Sequence, residues 1–309
     1  MQVRALGTAA GGGFPQWNCA CGNCSAVRAG TFRGKARTQA QLAVSEDGIS
    51  WFLLGASPDL RTQIEATPPL HPRTGIRQSP IAGVVLANAD LDHVLGLLLL
   101  RELQPLRVYA TPAVQTILLR DNTMFRMLNR VPNQVAWSEL PLNAPIHLRD
   151  AAANESGLYC EAISLGSKLP AYVTDQRAAE LPEKEALIGL IVSNKSGKKL
   201  GYFPSVPQVD EELLARMDQL DLLFFDGTFW SDDELIRIQG SGQTARQMGH
   251  LPVGSSEGSL DRLAGLRRPR KIFVHINNTN PLLNESGAEF DKVHRAGWEL
   301  AEDGWECRL

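Results

Sequence analysis

The run Ile81 to Ala87, I-A-G-V-V-L-A, is apolar at every position and leaves no face for water. A strand of that kind has to be covered on both sides, so the chain must build layers around it. Four polar groups follow at once, Asn88, Asp90, Asp92 and His93, and a second apolar run, Val94 to Leu100, reads as a helix. Delivering carboxylates and an imidazole at the C-terminal end of a buried strand is a common way for an α/β protein to build a site. On an extended segment Asp90 and Asp92 share one side, with His93 beside them where the chain turns.

Two more apolar runs end the same way. Leu222 to Phe225 leads into Asp226-Gly227-Thr228, and Lys271 to Val274 leads into His275. Further strands are expected at Val3 to Leu6, Arg107 to Ala110, Ala144 to Leu148 and Leu158 to Ile163. Hairpins are expected for Gln39 to Val44 with Ser50 to Leu54, turned by Glu46-Asp47-Gly48, and for Ala186 to Ser193 with Leu200 to Phe203. Helical patterns cover Leu60 to Ala66, Pro112 to Asp121, Asp210 to Met217 and Ser256 to Gly265. The glycine loop Gly7 to Gly13 lacks the spacing of a dinucleotide fingerprint. Strands and hairpins mixed with helices, twice over, fit an α/β fold of the αββα sandwich type. Two mixed sheets would pack face to face with helices on both outer faces. With no linker, repeat or low-complexity tract, residues 1–309 are expected to form a single domain.

A chain of 309 residues, 43% hydrophobic and 21% charged, can bury a sizeable core. Its net charge of −3 gives no electrostatic footprint for nucleic acid or an anionic membrane, so neither partner is expected. The longest apolar streak, Val94 to Leu100, is far too short to span a bilayer. The N-terminal residues lack a signal peptide's apolar region, and the five cysteines do not resemble a secreted disulfide framework. The chain reads as cytoplasmic.

Three of those cysteines, Cys19, Cys21 and Cys24, fall in N-C-A-C-G-N-C, residues 18–24, on a turn-rich loop. Three thiolates so close together suit a tetrahedral, structural zinc ion with a fourth ligand from elsewhere. Cys160 and Cys307 stand alone and are expected to serve packing. Asp92, His93 and His275 together make the two-histidine, one-carboxylate set of non-haem iron(II) sites. His250, in T-A-R-Q-M-G-H-L-P ahead of an expected helix, is a candidate acid or base near neutral pH, and Asp226 closes a third strand of the same kind. Arg73, Arg77 and Ser79, just ahead of the Ile81 strand, are candidates for holding an acidic ligand. His71, His147 and His294 have no comparable context.

At Asn88 to His93 the chain resembles the H-x-H-x-D-H signature of the metallo-β-lactamase superfamily, with Asn88 and Asp90 in place of the leading histidines. The segments G-T-A-A-G-G-G, G-Y-F-P, F-F-D-G-T-F-W, G-H-L-P and V-H-I-N-N-T-N-P follow in order. With F-P-Q-W-N-C-A-C-G-N-C and R-Q-S-P-I-A-G-V-V-L-A-N-A-D-L-D-H, they are similar to the B proteins of pyrroloquinoline quinone (PQQ) biosynthesis over essentially the whole chain. The resemblance implies a single iron(II) ion on Asp92, His93 and His275, with Asp90 either a fourth ligand or the group that orients His93. The bridging aspartate of hydrolytic members is replaced by Ser205, so a dinuclear hydrolase is disfavoured. The implied activity is hydroxylation of the tyrosine part of a Glu-Tyr-derived PQQ precursor. The alternative is a carrier that moves PQQ or its precursor toward the periplasm. Implied partners are PQQ or a peptide-derived precursor, other PQQ-biosynthesis proteins and a second copy of the chain as a homodimer. In a phosphodiesterase branch of the superfamily the fourth zinc ligand lies three residues past the terminal metal histidine, which is Asn278 here. An oxygen or nitrogen of the N-N-T-N loop, a water or another histidine remain open as that ligand.

Overall fold

The fully apolar runs become inner strands. The computed structural model describes residues 1–182 and 184–309. Among them, two mixed seven-stranded sheets carry the fold, which is metallo-β-lactamase-like. In the first half of the chain the strands are β1 (Gln2–Gly7), β2 (Gln41–Ser45), β3 (Trp51–Leu54), β4 (Ile81–Val85), β5 (Leu106–Ala110), β6 (Val135–Glu139) and β7 (Ile146–Arg149). In the second half they are β8 (Glu155–Gly166), β9 (Leu187–Asn194), β10 (Lys199–Phe203), β11 (Leu222–Asp226), β12 (Arg270–Val274), β13 (Trp298–Leu300) and β14 (Glu306–Arg308). Contacts divide the chain into two units that alternate along the sequence. The first comprises Met1–Leu6, Gln41–Lys198 and Gly304–Leu309; the second comprises Gly7–Ala40 and Lys199–Asp303.

In the first unit one sheet runs β14-β1-β2-β3-β4-β5-β6. β2 and β3 form the expected antiparallel hairpin, with Leu42 opposite Leu54, and β3 to β6 are parallel. Ile81 and Val84 of β4 join a buried cluster that includes Leu53, Val94, Leu97, Val108 and Val114, and Val85, outside that cluster, is fully buried as well. The same unit holds the antiparallel strands β7, β8 and β9.

The second unit holds β10 to β13, all parallel, with Phe203 opposite Phe225 and Asp226 opposite Val274. The Trp298 ring stacks on Phe273 with centroids 4.1 Å apart and fixes the β12–β13 edge. Helix Glu211–Met217 begins where the sequence signals it. The Asp210 carboxylate accepts the Leu213 N–H at 2.8 Å, and Glu211 and Glu212 sit in the first turn, where the helix dipole favours them.

Some expectations need correcting. The helix expected from Val94 starts at Leu91: residues Leu91–Val94 are α-helical and Leu95–Leu100 continue as 3-10. Asp92 and His93 therefore stand in a helical turn, not on an extended segment, because extended Asp90 takes the N-cap position. Pro112–Thr116 is α-helix as expected but passes into a π turn over Ile117–Asp121. Only Ser259–Arg262 of the Ser256–Gly265 stretch is helical, and that helix lies well beyond His250. Cys24 is not on a loop but in helix Gly22–Arg28. Among the described residues no helix is long and apolar enough to cross a membrane.

Candidate functional site

In the second unit the ends of β11 and β12 bring together Asp226, His250 and His275, with ligand-type atoms within 4.8 Å of one another. Asp226 is fully buried as the last residue of β11. Its Oδ2 accepts the Val206 N–H at 2.9 Å and His250 Nδ1 at 2.8 Å. Its Oδ1 accepts the Thr228 N–H at 3.0 Å and the Thr228 hydroxyl at 2.6 Å. A carboxylate offers about four lone-pair directions, and four donors fill them. Burial pushes the Asp226 carboxyl up, but the His250 charge and hydrogen bond, with His275 and Thr228, outweigh it and hold the pKa below the ordinary value.

Thr228 carries the network across to β12. Its Oγ1 lies 2.8 Å from His275 Nδ1. The Thr228 hydroxyl also reaches the His275 carbonyl at 2.9 Å; where its single proton goes to Asp226, His275 Nδ1 is the donor to Oγ1. His250 Nδ1 faces the acceptor-only Asp226 carboxylate and donates to it. The two rings stack with centroids 5.5 Å apart, and both are buried. His275 adopts φ +60°, a left-handed conformation unusual for a residue with a side chain. Hydrogen bonds hold it there: Gly227 N–H to Val274 O, Ile276 N–H to Thr8 O and Asn277 N–H to Thr228 O, at 2.9, 2.9 and 3.0 Å. At Gly227, where the two strand ends meet, a Cβ would stand 2.5 Å from Ile276 Cδ1 and 3.0 Å from Phe273 Cβ, so a side chain there would have to displace its neighbours.

The first unit carries the other half of the sequence-predicted set. Asn88 is buried; its Oδ1 accepts the Asp90 N–H at 3.0 Å, and its Nδ2 has no hydrogen-bond partner among the described residues. His93 is buried, and its Nε2 lies 3.7 Å from Asp92 Oδ2. The His93 carbonyl accepts the Ala56 N–H at 2.7 Å, which ties this turn to the end of β3. Tyr172, which sequence reasoning missed, donates its hydroxyl to the Ala89 carbonyl. Burial, with the nearby Asp90 charge, pushes its phenol well above the ordinary value. A lone tyrosine in a loop carries no sequence signal for such a place. Arg73 hydrogen-bonds the Gly48 and Pro69 carbonyls at 2.6 and 3.3 Å, Ser79 Oγ accepts the Ile81 N–H, and Arg77 is exposed.

The second unit also gathers Cys19, Cys21 and Cys24, their Sγ atoms within 4.8 Å of one another. Arg28, in the last turn of helix Gly22–Arg28, binds the Cys19 and Gln16 carbonyls and folds the loop back on that helix. Burial pushes the Cys21 thiol up to about 11, whereas hydrogen bonds from Cys21, Cys24 and Asn278 outweigh burial at Cys19 and lower its pKa. Such a split is what crowded sulfurs give when negative charge settles on one of them.

The β-lactamase superfamily domain profile matches residues 50–276. Coenzyme PQQ synthesis protein B of Methylorubrum extorquens is 43% identical over 98% of both chains. The protein of the same name from Pseudomonas putida is 41% identical over 100% of both. The crystal structure of Zn(2+)-bound PqqB from Methylobacterium extorquens covers both chains completely at 42% identity, with a TM-score of 0.91.

Proposed function

Because the chain belongs to the coenzyme PQQ synthesis protein B family of the β-lactamase superfamily, we propose that it serves PQQ biosynthesis as an iron(II)-dependent oxygenase. Its substrate in this reading is a Glu-Tyr-derived precursor whose tyrosine ring it hydroxylates. One observation supports the chemistry above the rest: the Asp226–Thr228 pair takes the Nδ1 protons of both His250 and His275. That leaves Nε2 of each ring as the nitrogen to bind a metal or accept a proton.

His275 is the metal ligand in this assignment, and the resemblance gives Asp92 and His93 to the same ion. The residues fit such an ion, since buried imidazole nitrogen with carboxylate oxygen suits iron(II). Iron(II), if bound, would activate dioxygen there, with two electrons from an external reductant such as ascorbate taking the second oxygen atom to water. His250 Nε2 accepts and holds the substrate's phenolic proton, and the Asp226 carboxylate stabilises the imidazolium that results. Asp226, with all its lone pairs occupied, positions both rings instead of binding metal. Asn88 and Asp90 stand where a hydrolase has two neutral nitrogen donors, which supports one ion and not two.

The test is anaerobic loading with iron(II), then dioxygen, a reductant such as ascorbate and the precursor, with mass spectrometry for one added oxygen atom. Product is expected from the wild type and none from His275→Asn or His93→Ala. Tight PQQ binding by an iron-loaded protein that forms no oxygenated product would replace the enzyme with the carrier.

A further inference from the structure

Away from the metal-binding side chains, a recess of about 190 Å³ opens in the first unit where the chain enters β5 and β6. We propose that this recess is a docking site for an acidic peptide segment of a partner protein. The segment seats a carboxylate between Arg101 and Arg130 and lays apolar side chains over Leu103, Met124 and Met127.

Arg101, Glu102, Leu103, Met127, Arg130 and Gln134 line the recess. Because β4, β5 and β6 are parallel, it lies at the opposite end of the sheet from Asn88 to His93. The five residues of β4, at about 3.3 Å each, put roughly 16 Å between the two ends.

The local sequence explains why apolar groups are left outside. Helix Thr123–Asn129 is 3-10, so residues three apart share a face. Phe125 and Leu128 are buried in the core cluster. Met124 and Met127 are 65% and 41% exposed, in line with Arg130. Leu103 is 60% exposed; its φ is +64°, and its N–H reaches the Arg101 carbonyl at 2.8 Å in a tight turn.

The polar lining is short of negative charge. Arg101 Nη1 donates to the Leu98 carbonyl at 3.0 Å, and Nη2 stands 3.5 Å from Glu102, whose side chain is 64% exposed. That separation is too long for a strong charge-assisted hydrogen bond. The Arg130 guanidinium has no hydrogen-bond or ion-pair partner among the described residues. Gln134 is buried, and its Nε2 has no hydrogen-bond partner among them either. A buried N–H without an acceptor is unfavourable, and a carboxylate entering between the two arginines supplies one. Segments 98–105 and 122–134 carry Arg101, Arg126 and Arg130 against Glu102 alone, in a chain whose net charge is −3. This local excess of positive charge matches an acidic partner. The exposed apolar groups favour a protein segment, since a free carboxylate would leave them in water and a lipid surface would leave the recess unfilled.

Two acetylated, amidated hexapeptides serve as probes of the full chain, one alternating leucine with glutamate and the other leucine with glutamine. Binding is followed by NMR of labelled methionine methyls and of the Gln134 side-chain amide. The glutamate peptide is expected to bind saturably, to shift the Met127 methyl and the Gln134 amide, and to weaken as salt is added. The glutamine peptide on wild type, and the glutamate peptide on Arg130→Gln, are each expected to bind about 10-fold more weakly. Arg130 is exposed, so its exchange leaves the core intact. No binding of the glutamate peptide at millimolar concentration, equal binding of the two peptides, an unmoved Gln134 amide, or undiminished binding to Arg130→Gln overturns the proposal. Glutarate that binds as tightly as the peptide replaces it with a small-anion site. Arg130-dependent binding of phosphatidylglycerol vesicles, with none of the peptide, replaces it with a membrane contact.

Discussion

A single threonine hydroxyl joins the end of β11 to the end of β12, and removing it takes one hydrogen bond from each of two buried polar groups. In Thr228→Val, Asp226 Oδ1 loses a donor at 2.6 Å and His275 Nδ1 loses its acceptor at 2.8 Å. A loss of about 1–3 kcal/mol of stability is expected from the two buried hydrogen bonds lost. The affinity for metal is expected to fall about 10- to 100-fold, because the ring loses its orientation. Thr228→Ser should retain both properties, and urea denaturation with metal titration checks the pair. Asp226, His250 and His275 were each visible in the sequence, two as strand ends and one in a G-H-L-P turn. Thr228 was not, because a threonine after Asp-Gly reads as turn chemistry until the strand ends are set side by side. Glu234 was missed too: a Glu opening a helix normally faces water, whereas this one is buried.

The strands most readable in the sequence are those apolar along all or most of their length, β4, β9 and β11, because a double-sided cover leaves only one kind of pattern. The edge strands β6, β13 and β14 were illegible. β13 and β14 have three residues each, and β6 is half-exposed along most of its length, so their pairing comes from the neighbour and not from their own composition. The helix after β4 was placed too late because its first turn is polar. Its position is fixed by Gly96, where a Cβ would stand 2.3 Å from the Ser57 carbonyl oxygen. The Gly96 N–H donates to the Ala56 carbonyl at 2.8 Å, so the two backbones cannot part without losing that bond. Gly96→Ala is therefore expected to cost about 1–3 kcal/mol and to lower the melting temperature, readable by calorimetry. Asp210→Ala is expected to cost about 1 kcal/mol through loss of the helix cap at Leu213.

Across the molecule, buried acids set how stability varies with pH. Burial lifts the Glu234 carboxyl from 4.5 to about 7, against hydrogen bonds from Thr279 and the Trp230 amide. A raised carboxyl favours the protonated folded state, so its contribution is full below pH 4.5 and disappears as pH climbs to 7. Wild type is expected to lose about 3 kcal/mol more than Glu234→Gln between pH 4.5 and pH 7, measured by denaturation at each pH. Asp303, also raised by burial, adds to the fall in wild type and variant alike, so the difference between them isolates Glu234. The alternation of the two units along the chain has its own consequence for the order of events during synthesis. The second unit needs residues up to Asp303, and the first needs the strand that follows it, since β14 pairs with β1. During synthesis the β1 edge away from β2 therefore waits for β14, and neither unit can be completed by a chain cut short between them. Until β14 is made, that side of β1 is an open sheet edge, with backbone groups free to pair with another strand.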